Sequence, residues 1–445
     1  MALEKIEMDP LWREWEDRLG LQGYVRKESL VRQEISAVQE TEYRIELVWY
    51  PEGAADFDNE GLNPPGTVTV MLDARTRRLR SCHLPDLKQG KGSADSGREA
   101  TGDEARSIAW DWIARFTGLT EEDRRLEQLT FQLEENVMRF GFRLVHEGVP
   151  FFPGMSMDIR ISREGRLLSY STYGSHTGIV VPILNKPQQE PGPAALRQTA
   201  YQAFSLFYLP KELRNDKELC WFYGVGETFL DGETGETIAY EWHSKLFGQT
   251  PLNEPLLWSE EEEGHSTDEQ ISSGPAKAGG WISRFVSERE RRDGLIDWED
   301  EHPELLPIGP ADRDRLCETI RVWARKRWPG GSGQWMISHL LRSSGMVVAV
   351  IERSHAGYEV GMGRTKVFID GQSFAVIDEM EPAVLPPHPP EGVIGKAEAF
   401  EKIAGAVICK PRYVWDAQKK GYRFMHMVDC PLLVDALSGE TAEEL

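Results

Sequence analysis

The chain has 445 residues, is 40% hydrophobic and 28% charged, and carries 14 Trp and a formal net charge of -22. That length exceeds one typical core and sets a prior of roughly three domains at about 150 residues each. The aromatic content argues against general disorder. The charge argues against a dedicated binder of nucleic acid or anionic membrane, because phosphates are repelled.

No run approaches the ~18 apolar residues of a spanning helix. The opening Met1-Ala-Leu-Glu-Lys-Ile-Glu-Met-Asp9 lacks the apolar stretch of a signal peptide, so a cytoplasmic location is expected. Cys82, Cys220, Cys317, Cys409 and Cys430 are scattered and form no CxxC pair. They read as reduced, mostly buried thiols.

In chain order, residues 10–20 form a short helix containing Trp12 and Trp15. Tyr43, Ile45, Leu47 and Trp49 alternate as a strand, with Val68, Val70 and Leu72 as its partner. Asp56, Asp58, Glu60 and Gly61 open like a calcium loop. Its twelfth position is Thr67 rather than Glu, and Pro64-Pro65 break the geometry, so a solvated loop is expected. Cys82-His83 are strand neighbours pointing to opposite faces, which denies them a nucleophile–base geometry. Residues 86–100 read as a linker.

Thr101-Gly-Asp-Glu104 matches a capping box. Ala105, Ile108, Ala109, Trp112, Ile113 and Phe116 then share a helical face, and Gly118 stops the helix. The period changes to two along Met138, Phe140, Phe142 and Leu144, and again along Met155, Met157, Ile159 and Ile161. His146-Glu147 lacks the second His of H-E-x-x-H and sits at a strand end, so it reads as no zinc site. Pro182 to Pro193 is a second linker. Leu196, Ala200, Ala203, Phe204 and Phe207 predict a helix that Pro210 ends. Strands follow around Trp221–Val225 and Ile238–Trp242, joined by a turn with Asp231, Glu233 and Glu236. The aromatics Trp221, Phe222, Tyr223, Trp242 and Trp328 read mainly as core.

Residues 259–280 are an acidic, Ser/Gly/Pro-containing boundary. Residues 281–292 predict a charged helix. Leu316, Ile320, Trp323 and Ala324 share the face of another helix, rimmed by Arg321, Arg325, Lys326 and Arg327, a cationic flank that reads as solvated. Strands are expected near residues 346–351, 358–362, 365–369 and 374–378. Gly361-Met-Gly363-Arg-Thr-Lys366 fits neither phosphate-loop pattern. A last helix spans Ala397, Phe400, Ile403, Ala404 and Val407, before strands at 422–428 and 432–434. His243, His265, His302, His339, His355 and His426 are dispersed and suggest no metal set.

One turn recurs. Leu72-Asp73-Ala-Arg-Thr76, Leu230-Asp231-Gly-Glu-Thr234-Gly235 and Val434-Asp435-Ala-Leu-Ser438-Gly439 share a form, with Ile369-Asp370-Gly371 as a shorter version. Asp at a strand end can accept backbone N–H groups two and more residues on, while Gly supplies a positive φ. These aspartates therefore read as turn residues rather than an acidic site.

Helix-then-hairpin segments with this turn resemble PepSY-like modules, and more closely the YcdB/YcdC repeated-domain family. The matching residues are Glu104 to Phe116, Phe131-Gln-Leu133, Phe142-Arg-Leu144, Gly148-Val-Pro150 and Met157-Asp-Ile159, with residues 396–407, Tyr413 and Tyr422-Arg-Phe424 towards the C-terminus. The resemblance implies an α+β fold of tandem units, each a helix on an antiparallel sheet, and a family associated with binding.

The expected divisions are 1–85, 95–180, 193–258, an acidic stretch 259–310, then 311–381 and 393–445. The expected function is a non-enzymatic binding or regulatory protein with a peptide or protein partner. The alternative is a hydrolase or peptidase whose site is assembled from distant residues. No catalytic residue, cofactor or metal ligand is assigned.

Overall fold

A computed structural model of the chain describes residues 3–36, 40–54, 63–85, 101–121, 125–134, 137–154, 156–174, 182–187, 189–212, 215–239, 250–259, 290–291, 294–343, 345–353, 364–380, 391–416 and 419–443. The first stretch runs β1 (Leu3–Lys5), α1 (Met8–Leu19), β2 (Tyr24–Ile35), β3 (Thr41–Pro51), β4 (Val68–Asp73) and β5 (Leu79–His83). Next come α2 (Gly102–Thr117), β6 (Leu126–Leu133), β7 (Val137–His146), β8 (Val149–Phe152), β9 (Ser156–Ser162) and β10 (Leu167–Tyr173). Then follow α3 (Pro193–Ala203), β11 (Phe204–Glu212), β12 (Asn215–Val225), β13 (Thr228–Leu230), β14 (Thr237–Ala239) and β15 (Thr250–Pro255). β16 (Glu290–Arg291) and β17 (Leu295–Asp297) precede α4 (Pro310–Arg327), β18 (Trp335–Ser343), β19 (Met346–Arg353), β20 (Thr365–Asp370) and β21 (Val376–Met380). The chain closes with α5 (Lys396–Ile403), β22 (Ile408–Asp416), β23 (Gly421–Asp429), β24 (Leu432–Asp435) and β25 (Thr441–Glu443).

The chain forms two compact units, each drawn from separated stretches. One comprises Met1–Asn185, Val286–His302 and Arg412–Arg423; the other comprises Lys186–Phe285, Pro303–Pro411 and Phe424–Leu445.

In the first unit the strands follow the order β22-β8-β7-β9-β10-β5-β4-β3-β2-β16, with β6 on the remaining edge of β7. The β8–β22 contact, Phe151 opposite Tyr413, is parallel. The core face carries fully buried Ile45, Leu47, Trp49, Phe140, Phe142 and Tyr170. Helix α1 lays Trp12 edge-on against Trp49 at 4.5 Å. Helix α2 sets Trp110 against Phe142 and Phe116 against Tyr170, at 5.2 and 5.0 Å. The capping box forms as expected: Thr101 Oγ1 accepts from Glu104 N at 3.3 Å, and Glu104 Oε2 accepts from Thr101 N at 2.8 Å. The helix is rotated slightly from the expected face. Trp110 is buried, whereas Trp112 is half-buried beneath the guanidinium of Arg115.

In the second unit, α4 covers the sheet β15-β18-β19-β20-β21, burying Leu316, Ile320 and Trp323 against Ile337, Ala349, Val367 and Ile369. A separate core packs Ala200 of α3 and Phe400 and Ile403 of α5 on Phe204, Trp221, Val428 and Val434.

Three expectations are corrected. The fold is mostly β, with 25 strands and five α-helices among the described residues, and its sheets are large and shared rather than tandem helix-on-sheet units. The physical reason lies in the ladder partners. β10 pairs with β5, β12 with β24 and β13 with β23, so each helix-led stretch lends strands to a sheet begun elsewhere. Secondly, the helix expected to run to Pro210 ends at Ala203. Phe204 and Leu206 are buried as alternate residues of β11, paired to Val225 and Tyr223. Aromatic and alternating residues favour the pleated surface, and Pro210 is tolerated because β11 is an edge strand among the described residues. Finally, Glu290–Arg291 pair with Arg32 and Val31 as strand rather than ending a helix; residues 281–289 lie outside the described residues.

Candidate functional site

The recurring aspartates behave as turn residues. Asp73 Oδ1 accepts from Thr76 N at 2.6 Å and Thr76 Oγ1 at 2.7 Å. Asp231 Oδ1 accepts from Glu233 N and Thr234 N at 2.9 and 2.8 Å. Asp370 and Asp435 repeat the pattern with Ser373 and Ser438. The fourth residue after each Asp has positive φ: Arg77, Gly235, Phe374 and Gly439, at 60°, 68°, 63° and 68°. Glycine therefore occupies only two of the four left-handed positions. The side-chain hydrogen bonds hold the turn where Arg77 and Phe374 stand instead.

The cysteines are free thiols. Burial pushes Cys82 up to about 12, and it faces Tyr170 across the ladder while neighbouring His83 is exposed. Cys317 is pushed up to about 12, first by burial and then by Glu254, whose Oε2 accepts its proton at 3.5 Å. Cys409 is raised by burial and by Glu190. Nucleophilic thiols require the opposite shift. His146 stands edge-on to Tyr413 at 5.3 Å, and Glu147 occupies a left-handed turn. The backbone N–H of the buried His302 donates to Thr41 Oγ1 at 2.7 Å. His339 lies on β18. His426 is buried, with Nε2 at 3.1 Å from the Gln189 carbonyl; burial holds it below its ordinary value against the upward pull of that carbonyl, Glu190 and Asp231. His243, His265, His355, Asp56, Asp58, Glu60, Trp242 and Gly361 to Gly363 lie outside the described residues. Lys366 sits in β20, a strand rather than a phosphate-binding helix start.

The cationic flank of α4 is tied into its own unit. Arg321 pairs with Glu318 and, at 3.7 Å, with Glu254. Arg327 meets Glu379 at 3.3 Å, and the same carboxylate accepts from Trp323 Nε1 at 2.9 Å.

A buried charge cluster joins three strands of the first unit. Arg80, 5% exposed, donates to Glu42 and lies 3.5 Å from Asp73 Oδ2. Burial pushes Glu42 up to about 7, outweighing the attraction of Arg80, and the negative charge of Asp73 adds to the rise. One guanidinium thus faces two carboxylates, and Glu42 holds its proton more tightly than an ordinary carboxyl group does. The cluster locks β3, β4 and β5 together and has an architectural role.

Strand β6 is different. It pairs with β7 along one edge, and no described strand pairs with the other. Phe131 and Leu133 lie opposite Phe140 and Met138, so they belong to the same face as the core under α2. Helix α2 ends its cover at the edge. The phenyl of Phe131 lies beside Gly102 at the helix start and rests on Phe140 at 5.0 Å. Leu129, Phe131 and Leu133 remain 51%, 45% and 61% exposed. Three other edges carry features that sheets commonly use to blunt them. β25 is Thr-Ala-Glu, β21 exposes Asp378 and Glu379, and β15 carries Pro251, Pro255 and a left-handed Asn253. In the sequence the alternation Leu129, Phe131, Leu133 is visible and Phe131-Gln-Leu133 carries part of the resemblance, but nothing local says that the helix stops short of this row.

No family model matches the chain, and no curated protein matches it. Among solved structures, the C-terminal domain of YpeB from Bacillus megaterium matches at 13% identity over 54% of this chain and 99% of that chain, with a TM-score of 0.27. So loose a likeness fixes neither fold nor function, which rest on the chain's own geometry. Among the described residues no helix is long and apolar enough to cross a membrane.

Proposed function

We propose that the chain is a non-enzymatic binding protein that takes an extended segment of a partner protein along β6, by strand addition. The observation that carries this reading is an edge of β6 that no described strand pairs, where the core-face side chains Phe131 and Leu133, with Leu129 at the register shift of the ladder, are left about half exposed. An added strand would satisfy the outward backbone groups of β6 and continue the apolar face, so main-chain hydrogen bonds supply affinity and alternate side chains supply selectivity. Covering what remains exposed of those three side chains contributes about 1 kcal/mol each. The resemblance of residues 95–174 to a family associated with binding is in keeping with this. The hydrolase alternative draws no support from the thiols, whose shifts run against nucleophilic activation.

Hydrogen exchange tests the proposal. A short soluble peptide alternating Val and Thr is expected to slow exchange in the β6 amides. The double variant Phe131→Ser/Leu133→Ser should lose that protection while keeping its far-ultraviolet circular dichroism. Unchanged exchange across β6, or equal protection in the variant, rejects the site.

A further inference from the structure

We infer that the segment taken by β6 is cationic: an extended stretch of another protein in which apolar residues alternate with Lys or Arg. This rests on the strand-addition reading above and concerns only the chemistry of the occupant.

The inference comes from what borders the apolar row. Three arginines beside it are already engaged by carboxylates of this chain. Arg106 at the foot of α2 pairs with Glu121, Arg143 pairs with Glu127 across the β6–β7 ladder, and Arg139 pairs with Asp158. Carboxylates are left over. Asp103 follows Gly102, beside which Phe131 lies, and Glu134 directly follows the last residue of β6; neither forms an ion pair among the described residues, and Glu134 acts on Arg139 only as a minor, longer-range charge. The local sequence agrees. Between Glu121 and Asn136 there are six carboxylates and two arginines. The row is therefore an apolar strip with an anionic rim. A strand laid against it meets Phe131 and Leu133 with one set of side chains. Its other set points to the face of Gln132 and Thr130, towards Glu134. Opposite charges on neighbouring strands attract, and like charges directly across repel.

The same rim disfavours a second copy of this chain. Pairing β6 with β6 would bring Glu134 and Asp103 of two molecules together, on a protein whose formal net charge is already -22.

Three synthetic peptides with one Val alternation, bearing Lys, Thr or Glu at the intervening positions, separate the possibilities. Fluorescence anisotropy with the full chain at low salt is expected to give the Lys series a dissociation constant about ten-fold below that of the Thr series, with the Glu series weakest. At about 1 M salt, where the screening length is about 3 Å, the series should converge. Asp103→Lys with Glu134→Lys should abolish the Lys advantage and leave Thr-series binding intact. Equal affinity of the Lys and Thr series, with β6 protected, overturns the cationic occupant while strand addition stands. Failure of all three series, with no protection of β6, defeats strand addition itself. Self-association in sedimentation equilibrium that Leu133→Ser removes would make a second copy the occupant, and would likewise overturn the inference.

Discussion

Replacing Glu42 by Gln isolates the energetics of a surplus buried carboxylate. Arg80 faces both Glu42 and Asp73, and burial takes Glu42 from 4.5 to about 7. The folded value lies above the unfolded one, so the folded state holds this proton more tightly. The stability that the proton contributes is complete below pH 4.5 and is lost as pH rises through about 7. A gap of 7 minus 4.5, about 2.5 units, at about 1.36 kcal/mol per unit amounts to about 3 kcal/mol. Gln cannot ionise, yet it keeps an oxygen to accept from Arg80. The variant should match the wild type within about 1 kcal/mol near pH 5. Near pH 8 it should exceed the wild type by up to about 3 kcal/mol. Urea titrations at stepped pH, following the transition of the unit that holds residues 1–185, measure this as a shift in midpoint at constant slope. Parallel pH profiles for the two proteins would show Glu42 ionised throughout, with the attraction of Arg80 overriding burial, and would refute the reasoning.

Further predictions concern the turns, the thiols and the β6–β7 ladder. Asp231→Ala removes a buried acceptor of two backbone N–H groups and should lower stability by about 3 kcal/mol, against about 1 kcal/mol for Asp370→Ala in its more exposed turn; equal losses would show that burial of the turn is irrelevant. Burial first raises Asp370, but hydrogen bonds from Ser373 and Gln372 hold it below 3.8, so the contribution of that turn is present above pH 3.8 and fades on further acidification. Asp370→Ala should accordingly flatten the acid limb of the stability profile, and an unchanged limb would contradict this. Alkylation followed by mass spectrometry should leave Cys82 and Cys317 unmodified at neutral pH until urea unfolds the chain; rapid native labelling of either would contradict their elevated thiols. A Cβ at Gly141 would lie 2.5 Å from Thr130 Oγ1 on β6. Gly141→Ala should thus loosen β6 from β7 and speed its amide exchange, at a cost of about 1–3 kcal/mol; unaltered β6 exchange would mean that Thr130 simply rotates away.

Much of the local structure could be read from the residues. The capping box at Thr101, the stop at Gly118 and the four aspartate turns depend on partners within five positions. Strands with clean alternation, such as β3, β7 and β9, stood out for the same reason. Strand β2 did not, because Arg26, Lys27, Glu28 and Arg32 interrupt its pattern on a half-exposed ribbon. Strand β18 was hidden by a bulge between Ile337 and His339 that breaks the period of two. The boundary of α3 was missed because Phe204 and Phe207 fit a helical face as well as a strand, and pairing with β12 decides between them.

The residues alone set the turns, the caps and the alternation of the better strands, since each follows from neighbours along the chain. Tertiary structure alone decided which strands share a sheet, that Arg80 meets carboxylates from positions 42 and 73, and that no described strand pairs with the outer edge of β6. The physical reason is that a period of two states which side chains lie on one face, but not what covers that face. Phe131 and Phe140 present the same pattern; one is 45% exposed and the other 1%, because helix α2 reaches only as far as Gly102.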